Sequence, residues 1–179
     1  MWDEIERKVS SGDRLTTAEG IFLLTAADLL ALGELAQEVR FRHNPASYVT
    51  FLIDSNPNYT NICDTDCLFC AFYRKPGAAD GYWLTVDQVM EKVEHAVKLG
   101  ATTVLLQGGH NPEIPLDYYL ELVRETRRRF PQVTPHFFSA SEIQAMSRYF
   151  GMSARELLEA LTEAGQYSLP GGGAEILSQ

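Results

Sequence analysis

The sequence predicts an α/β chain: a partial (β/α) barrel of about four parallel strands over residues 45–179, preceded by an N-terminal helical extension over residues 1–44. Three observations carry this. Short apolar, β-rich runs alternate with amphipathic helical stretches, and repeated strand–helix units imply parallel strands joined by right-handed crossovers. The first 44 residues read as helical and polar-edged. Every chemically unusual residue falls just past the carboxyl end of a predicted strand, where such barrels keep their functional loops.

The elements follow in order. Thr16 and Glu19 form a capping box, Thr16 as N-cap and Glu19 reaching back. Behind it GIFLLTAADLLALGELAQEVRFRH carries apolar residues at helical spacing, as two helices broken near Thr25. Asn44-Pro45 ends this region, because a residue before proline avoids helical geometry. Tyr48–Ile53 (YVTFLI) reads as the first strand, with the cysteine-bearing stretch directly after it. Thr85–Leu99 is a helix with a Thr85/Gln88 capping box, a Glu94–Lys98 pair one turn apart, and Gly100 as its stop. Thr103–Leu106 is the second strand and ends in Gln107-Gly108-Gly109-His110. Pro115–Phe130 is the next helix, begun by one proline and ended before another. Val133–Phe138 is a third strand weakened by Pro135; two short helices follow, capped by Ser139/Glu142 and Ser153/Glu156. A fourth strand at Tyr167–Leu169 runs into Pro170-Gly171-Gly172-Gly173. A closed barrel of eight units takes about 250 residues. A chain of 179 residues with no helix after its fourth strand therefore reads as an incomplete piece of a longer barrel.

Composition narrows the function. With 45% hydrophobic and 22% charged residues the chain has enough apolar material for a real core. A net charge of −9 argues against a general nucleic-acid or anionic-membrane binder. The one basic run, Arg127-Arg128-Arg129, closes a predicted helix, where cations oppose the negative end of the dipole. No apolar run approaches the roughly 20 residues a membrane span needs, and MWDEIERKVSSGD lacks the apolar centre of a signal peptide. A cytoplasmic, reducing location is the expectation.

NYTNICDTDCLFCAFYRK holds all 3 cysteines of the chain, Cys63, Cys67 and Cys70. Thiols clustered this way in a reducing compartment do not make a disulfide framework. A closed zinc site wants four Cys or His ligands, and no histidine lies between His43 and His95. Iron–sulfur cubanes also take cysteine thiolates, normally four. Three thiols would fill three corners and leave one iron open for chemistry. On spacing alone, cluster and zinc both stand as readings. No Ser-His-Asp set, HExxH motif or P-loop competes. Tyr118 and Tyr119 belong to the core side of a helix. His136 on the third strand is either a satisfied core histidine or a group facing the barrel, and His43 and His95 read as surface residues. No catalytic acid or base is singled out.

Cys63-x3-Cys67-x2-Cys70, with aromatic Phe69 before the last cysteine, matches the signature of the radical S-adenosylmethionine enzymes. NYTNICDTDCLFCAFYR, LLQGGHNPEIPLDYY, HFFSASEI and SLPGGGAEIL together resemble the cyclic dehypoxanthine futalosine synthases of the futalosine route to menaquinone. PGGGAEI is shared with sister enzymes such as aminofutalosine synthase, and QGGHNP favours the cyclase. The resemblance implies a barrel of the radical SAM type, a 4Fe–4S cluster on Cys63, Cys67 and Cys70, and S-adenosyl-L-methionine on the open iron. It implies cofactor contacts from Phe69, Gly108, Gly109 and Glu175, and a substrate contact from Ser139. Glu142 reads as a helix cap. His110 stands where the family usually has an acidic residue after the glycines. The implied partners are a small-molecule substrate, dehypoxanthine futalosine, and an external electron donor; no nucleic acid and no membrane are expected.

Overall fold

Capping chemistry builds the first unit, Met1–Phe51. Helix α1 (Trp2–Ser11) carries Asp3 and Glu4 in its first turn and Lys8 in its last, and stops at Gly12, whose φ of 78° suits a residue without Cβ. Helix α2 (Thr17–Thr25) has the expected Thr16/Glu19 box with both reciprocal hydrogen bonds. Asp28 caps α3 (Leu29–His43) by accepting from the Leu30 and Ala31 N–H groups. The break falls at Thr25, where the sequence placed it. Lys8 Nζ donates to Glu19 Oε1 at 2.7 Å, tying α1 to the start of α2. This lysine, then the Thr16 N–H, pull the Glu19 carboxyl down to about 2.

The computed structural model describes residues 1–171, so the second unit, Leu52–Gln179, is described as far as Gly171. Its order is α4 (Val86–Lys98), β1 (Thr103–Leu106), α5 (Leu116–Arg129), β2 (Thr134–Phe137), α6 (Ala140–Phe150) and α7 (Ala154–Ala164). Strands β1 and β2 are parallel, in register from Thr103↔Thr134 to Leu106↔Phe137. Val104, Leu106 and Phe137 alternate inward and are fully buried, packing against Val89, Val93, Leu122, Val123 and Leu157 of the helices. Helices run between parallel strands, as predicted.

Two of the four expected strands are regular among the described residues, and the outer two need correction. Tyr48–Ile53 is not a strand: Tyr48, Val49 and Phe51 are 70%, 81% and 85% exposed. The chain joins β1 only from Ile53, through Thr102 N–H to Ile53 O at 3.4 Å and Leu105 N–H to Ser55 O at 2.9 Å. Composition marks the run as β-prone, but the four residues of β1 decide which residues find partners. Tyr167–Leu169 is likewise reduced to one parallel bridge, Ser168 to His136. The sheet order is therefore the 53–56 segment, β1, β2, then Ser168.

The arginine run is structural. Arg128 and Arg129 pair with Glu125, and Arg129 reaches Asp87 on α4. Tyr118 and Tyr119 are core residues, 7% and 1% exposed, in an aromatic group with Tyr59 and Phe138. His136 Nδ1 lies 2.8 Å from Ser168 Oγ, a satisfied partner on the fourth-strand bridge.

Candidate cofactor-binding site

Three segments meet beyond the carboxyl ends of the strands. The first is the cysteine loop, pinned at its base. Thr60 bridges to Trp83 and Ile62 to Arg74; Cys63 N–H donates to Arg74 O at 2.8 Å and Arg74 N–H to Asn61 O at 2.7 Å. Arg74 also pairs with Asp80. Above this base the tip turns at Cys67–Cys70, where the Cys70 N–H donates to Cys67 O at 3.1 Å. Cys63 is buried, Cys70 half-buried and Cys67 exposed. Leu68, Phe69 and Phe72 around them lie open to the outside.

The second segment is Gly108-Gly109-His110, and here the backbone comes too close for side chains. A Cβ on Gly108 would lie 2.7 Å from the Tyr59 ring, and one on Gly109 only 2.2 Å from Ile62 O. Gly109 N–H donates to Thr60 O at 3.0 Å and His110 N–H to Cys63 Sγ at 3.2 Å, while Asp64 N–H donates back to His110 O. The glycines thus let this loop lie flat on the segment entering the cysteines. His110 Nδ1 is 3.0 Å from Thr65 Oγ1. Burial lowers the pKa of its imidazole; the Asp64 charge opposes that and Arg148 adds to it.

The third is the turn from β2 into α6. Phe138, fully buried, adopts a φ of 57°, a conformation that costs a residue with a bulky side chain and is held by its surroundings. Ser139 is 5% exposed and Glu142 3%. The capping box is present, as predicted: Glu142 Oε2 accepts from Ser139 N–H and from Ser139 Oγ, both at 2.7 Å. Its other oxygen goes further. Oε1 accepts the Tyr59 hydroxyl at 2.9 Å and the Gly108 N–H at 3.0 Å. Burial pushes the Glu142 carboxyl above its ordinary range, with the hydrogen bonds from Ser139, Gly108 and Tyr59 pulling the other way. Burial, and then the Glu142 charge, hold Tyr59 as the phenol.

Cys63, Cys67, Cys70, Phe69, Gly108, Gly109 and Ser139 all line one cavity of about 590 Å³, within the range of ligand pockets. Seven residues singled out in the sequence are thereby brought together; the eighth, Glu175, lies outside the described residues. Among the described residues, Cys63, Asp64 and His110 are the one group of metal-ligand types whose donor atoms lie within 4.8 Å of one another, and the three thiols do not form such a group. A single zinc with ligands at about 2.3 Å would draw three thiolates to about 3.8 Å apart; here they are spread around the cavity wall. Sequence reasoning missed Tyr59 and the fully buried Asn111, whose Nδ2 donates to Thr60 Oγ1 at 3.4 Å. Tyr59 lies only four positions before Cys63, a proximity that was a usable signal; Asn111 offered none beyond preceding a proline.

The profile of the Radical SAM superfamily matches residues 57–179. The chain is 40% identical over 177 residues to a cyclic dehypoxanthine futalosine synthase of Halalkalibacterium halodurans, covering 99% of this chain and 48% of that protein. It is 39% identical over 183 residues to a 5-amino-6-(D-ribitylamino)uracil--L-tyrosine 4-hydroxyphenyl transferase of Trichormus variabilis, covering 98% and 46%. Against an aminodeoxyfutalosine synthase of Streptomyces coelicolor the figures are 39% over 173 residues, 97% and 44%. The chain spans about half the length of these curated relatives. Among solved structures, methylornithine synthase superposes with a TM-score of 0.58 at 16% identity over 93% of this chain and 57% of that one, a likeness of fold.

Proposed function

The chain belongs to the radical SAM superfamily, and from that premise we propose that the protein cyclises dehypoxanthine futalosine to cyclic dehypoxanthine futalosine on the futalosine route to menaquinone. On this reading it is a cytoplasmic enzyme of the oxidoreductase class, supplied with electrons by an external donor. The observation that carries the reading is the single cavity in which three thiols, Phe69, the two glycines and Ser139 converge.

Cys63, Cys67 and Cys70 would hold a 4Fe–4S cluster. Their donor type is right for iron and sulfide, and all three line one cavity. When bound, cluster and S-adenosyl-L-methionine supply one-electron cleavage of the sulfonium to methionine and a 5′-deoxyadenosyl radical. The chain's own residues position and shield. The N–H groups of Gly108 and Gly109 are committed to Glu142 and Thr60, so what this loop offers to the amino group of the cofactor is backbone carbonyls. Phe69, 87% exposed beside two of the thiols, offers an apolar face to an adenosyl group, which burial against it would shield from water. Ser139 gives its hydroxyl to Glu142 and lies 3.1 Å from Ser141 Oγ, so a substrate donor reaching its oxygen would take the place of Ser141. Glu175 would accept ribose hydroxyls or pair with the ammonium.

The second reading, the reaction of aminodeoxyfutalosine synthase, rests on a 39% identity against 40% for the cyclase. Gln107-Gly108-Gly109-His110-Asn111-Pro112 favours the cyclase. The test is to reconstitute the intact protein anaerobically, reduce it, and offer dehypoxanthine futalosine or the enolpyruvyl substrate in separate reactions. Cyclised product with stoichiometric 5′-deoxyadenosine is expected from the first; turnover of the enolpyruvyl compound alone would reject the assignment.

A further inference from the structure

Glu142 is more than a helix cap. The capping-box partners Gln88 and Glu156 do the same job from exposed positions, and Glu19 has Lys8 for company. Glu142 is buried and draws on four uncharged donors: Tyr59 Oη, Gly108 N, Ser139 N and Ser139 Oγ. Burying a carboxyl on such terms is costly, and the cap itself uses only Oε2. Oε1 is committed to two segments from elsewhere in the chain. One carries Tyr59, four residues before Cys63; the other is the glycine turn after β1.

A trans peptide points its N–H and C=O in opposite directions, and among the described residues no peptide bond is cis. Taking the Gly108 N–H therefore turns the Gln107 carbonyl away from Glu142. The Gly109 N–H, held by Thr60 O, likewise turns the Gly108 carbonyl away from Thr60. Gln107 and Gly108 both line the cavity. Among the described residues neither carbonyl accepts a hydrogen bond. Two acceptors without a partner, on residues that line the same cavity as the three thiols and with a buried carboxyl behind the first of them, match a ligand that brings an amino group.

We propose that Glu142 is a positioning residue, which, itself held by the Tyr59 hydroxyl, fixes the Gly108 N–H and so aims the Gln107 carbonyl, beside the Gly108 carbonyl set by Thr60, at the α-amino group of the sulfonium cofactor. This rests on the cofactor reading above and adds to it the residue that sets the geometry. Glu142 itself touches no ligand.

The test compares two ligands on anaerobically reconstituted, unreduced, intact protein: S-adenosyl-L-methionine, and its analogue with hydrogen in place of the α-amino group. Affinities are measured by titration, alongside iron and sulfide content and near-ultraviolet circular dichroism. Glu142→Ala should weaken S-adenosyl-L-methionine about tenfold and the deamino analogue less than about twofold, with the cluster retained. Tyr59→Phe removes a single donor and keeps the ring, and should show the same selectivity at about threefold; it carries the test should the alanine variant not fold. Equal losses for both ligands, or no loss for either, would overturn the proposal. Wild-type protein that holds a cluster but binds neither ligand, or holds no cluster, would instead reject the underlying cofactor assignment, and this proposal with it.

Discussion

Gly109 lies so close to Ile62 that a β-carbon on it would sit 2.2 Å from the Ile62 carbonyl oxygen and 3.0 Å from the Cys63 Cβ. Backbone stands in the way, not the end of a flexible side chain. Gly109→Ala must therefore push the segment leading into Cys63. The expected cost is about 1–3 kcal/mol of stability, with reduced iron incorporation, read by thermal denaturation and metal assay. Gly20→Ala is the control. It meets nothing within 4 Å and lies inside α2, so it should be neutral or stabilising by up to about 1 kcal/mol. Equal melting temperatures for Gly109→Ala and wild type would contradict the close approach.

The thiols give a second prediction. Cys63→Ala, Cys67→Ala and Cys70→Ala should each lower iron and sulfide after anaerobic reconstitution to a small fraction of wild type. Cys67 is exposed, so its loss should leave the melting temperature of the metal-free protein within error. Wild type that takes up one zinc and no sulfide would defeat the cluster assignment.

Phe69 separates ligand binding from folding. At 87% exposed its side chain contributes little to the core, and Phe69→Ala should change stability by no more than about 0.5 kcal/mol. Affinity for S-adenosyl-L-methionine should fall severalfold while iron content holds. Unchanged affinity would place the ring outside the adenosyl site.

A fourth prediction concerns acid. The Glu19 carboxyl is depressed from 4.5 to about 2, first by Lys8 and then by the Thr16 N–H. A depressed carboxyl stabilises the folded state fully above its unfolded value and loses that contribution as pH falls through the folded one. The helices of the first unit should therefore weaken between about pH 4.5 and pH 2. In Lys8→Met the drop should shrink, because its largest cause is gone. Circular dichroism melts of both proteins from pH 7 to pH 2 check this; parallel curves would show that the Lys8–Glu19 pair contributes nothing.

Much of the fold was legible because its signals are local. Thr16/Glu19, Thr85/Gln88, Ser139/Glu142 and Ser153/Glu156 are all capping boxes in the structure, and each needs only four consecutive residues to be recognised. Tyr48–Ile53 failed for the opposite reason. Its β-rich composition is real, yet a strand exists only where a neighbour offers hydrogen bonds, and β1 offers them from Ile53 onward. Tyr167–Leu169 shrank to one bridge on the same principle. Glu142 was read as a cap and is one, but half of its bonding was invisible, since Tyr59 lies 83 positions away.

By itself the sequence determined the candidate ligand set, three cysteines within eight positions, together with the helices and their ends, because thiol spacing and capping are properties of neighbours along the chain. Only the tertiary structure decided that Tyr59, Gly108 and Ser139 share one buried carboxyl, and that Gly109 must lack a side chain. Those facts depend on the register between β1 and β2 and on the close passage of one loop over another. Such distances are set when remote segments pack, and no local pattern of residues encodes them.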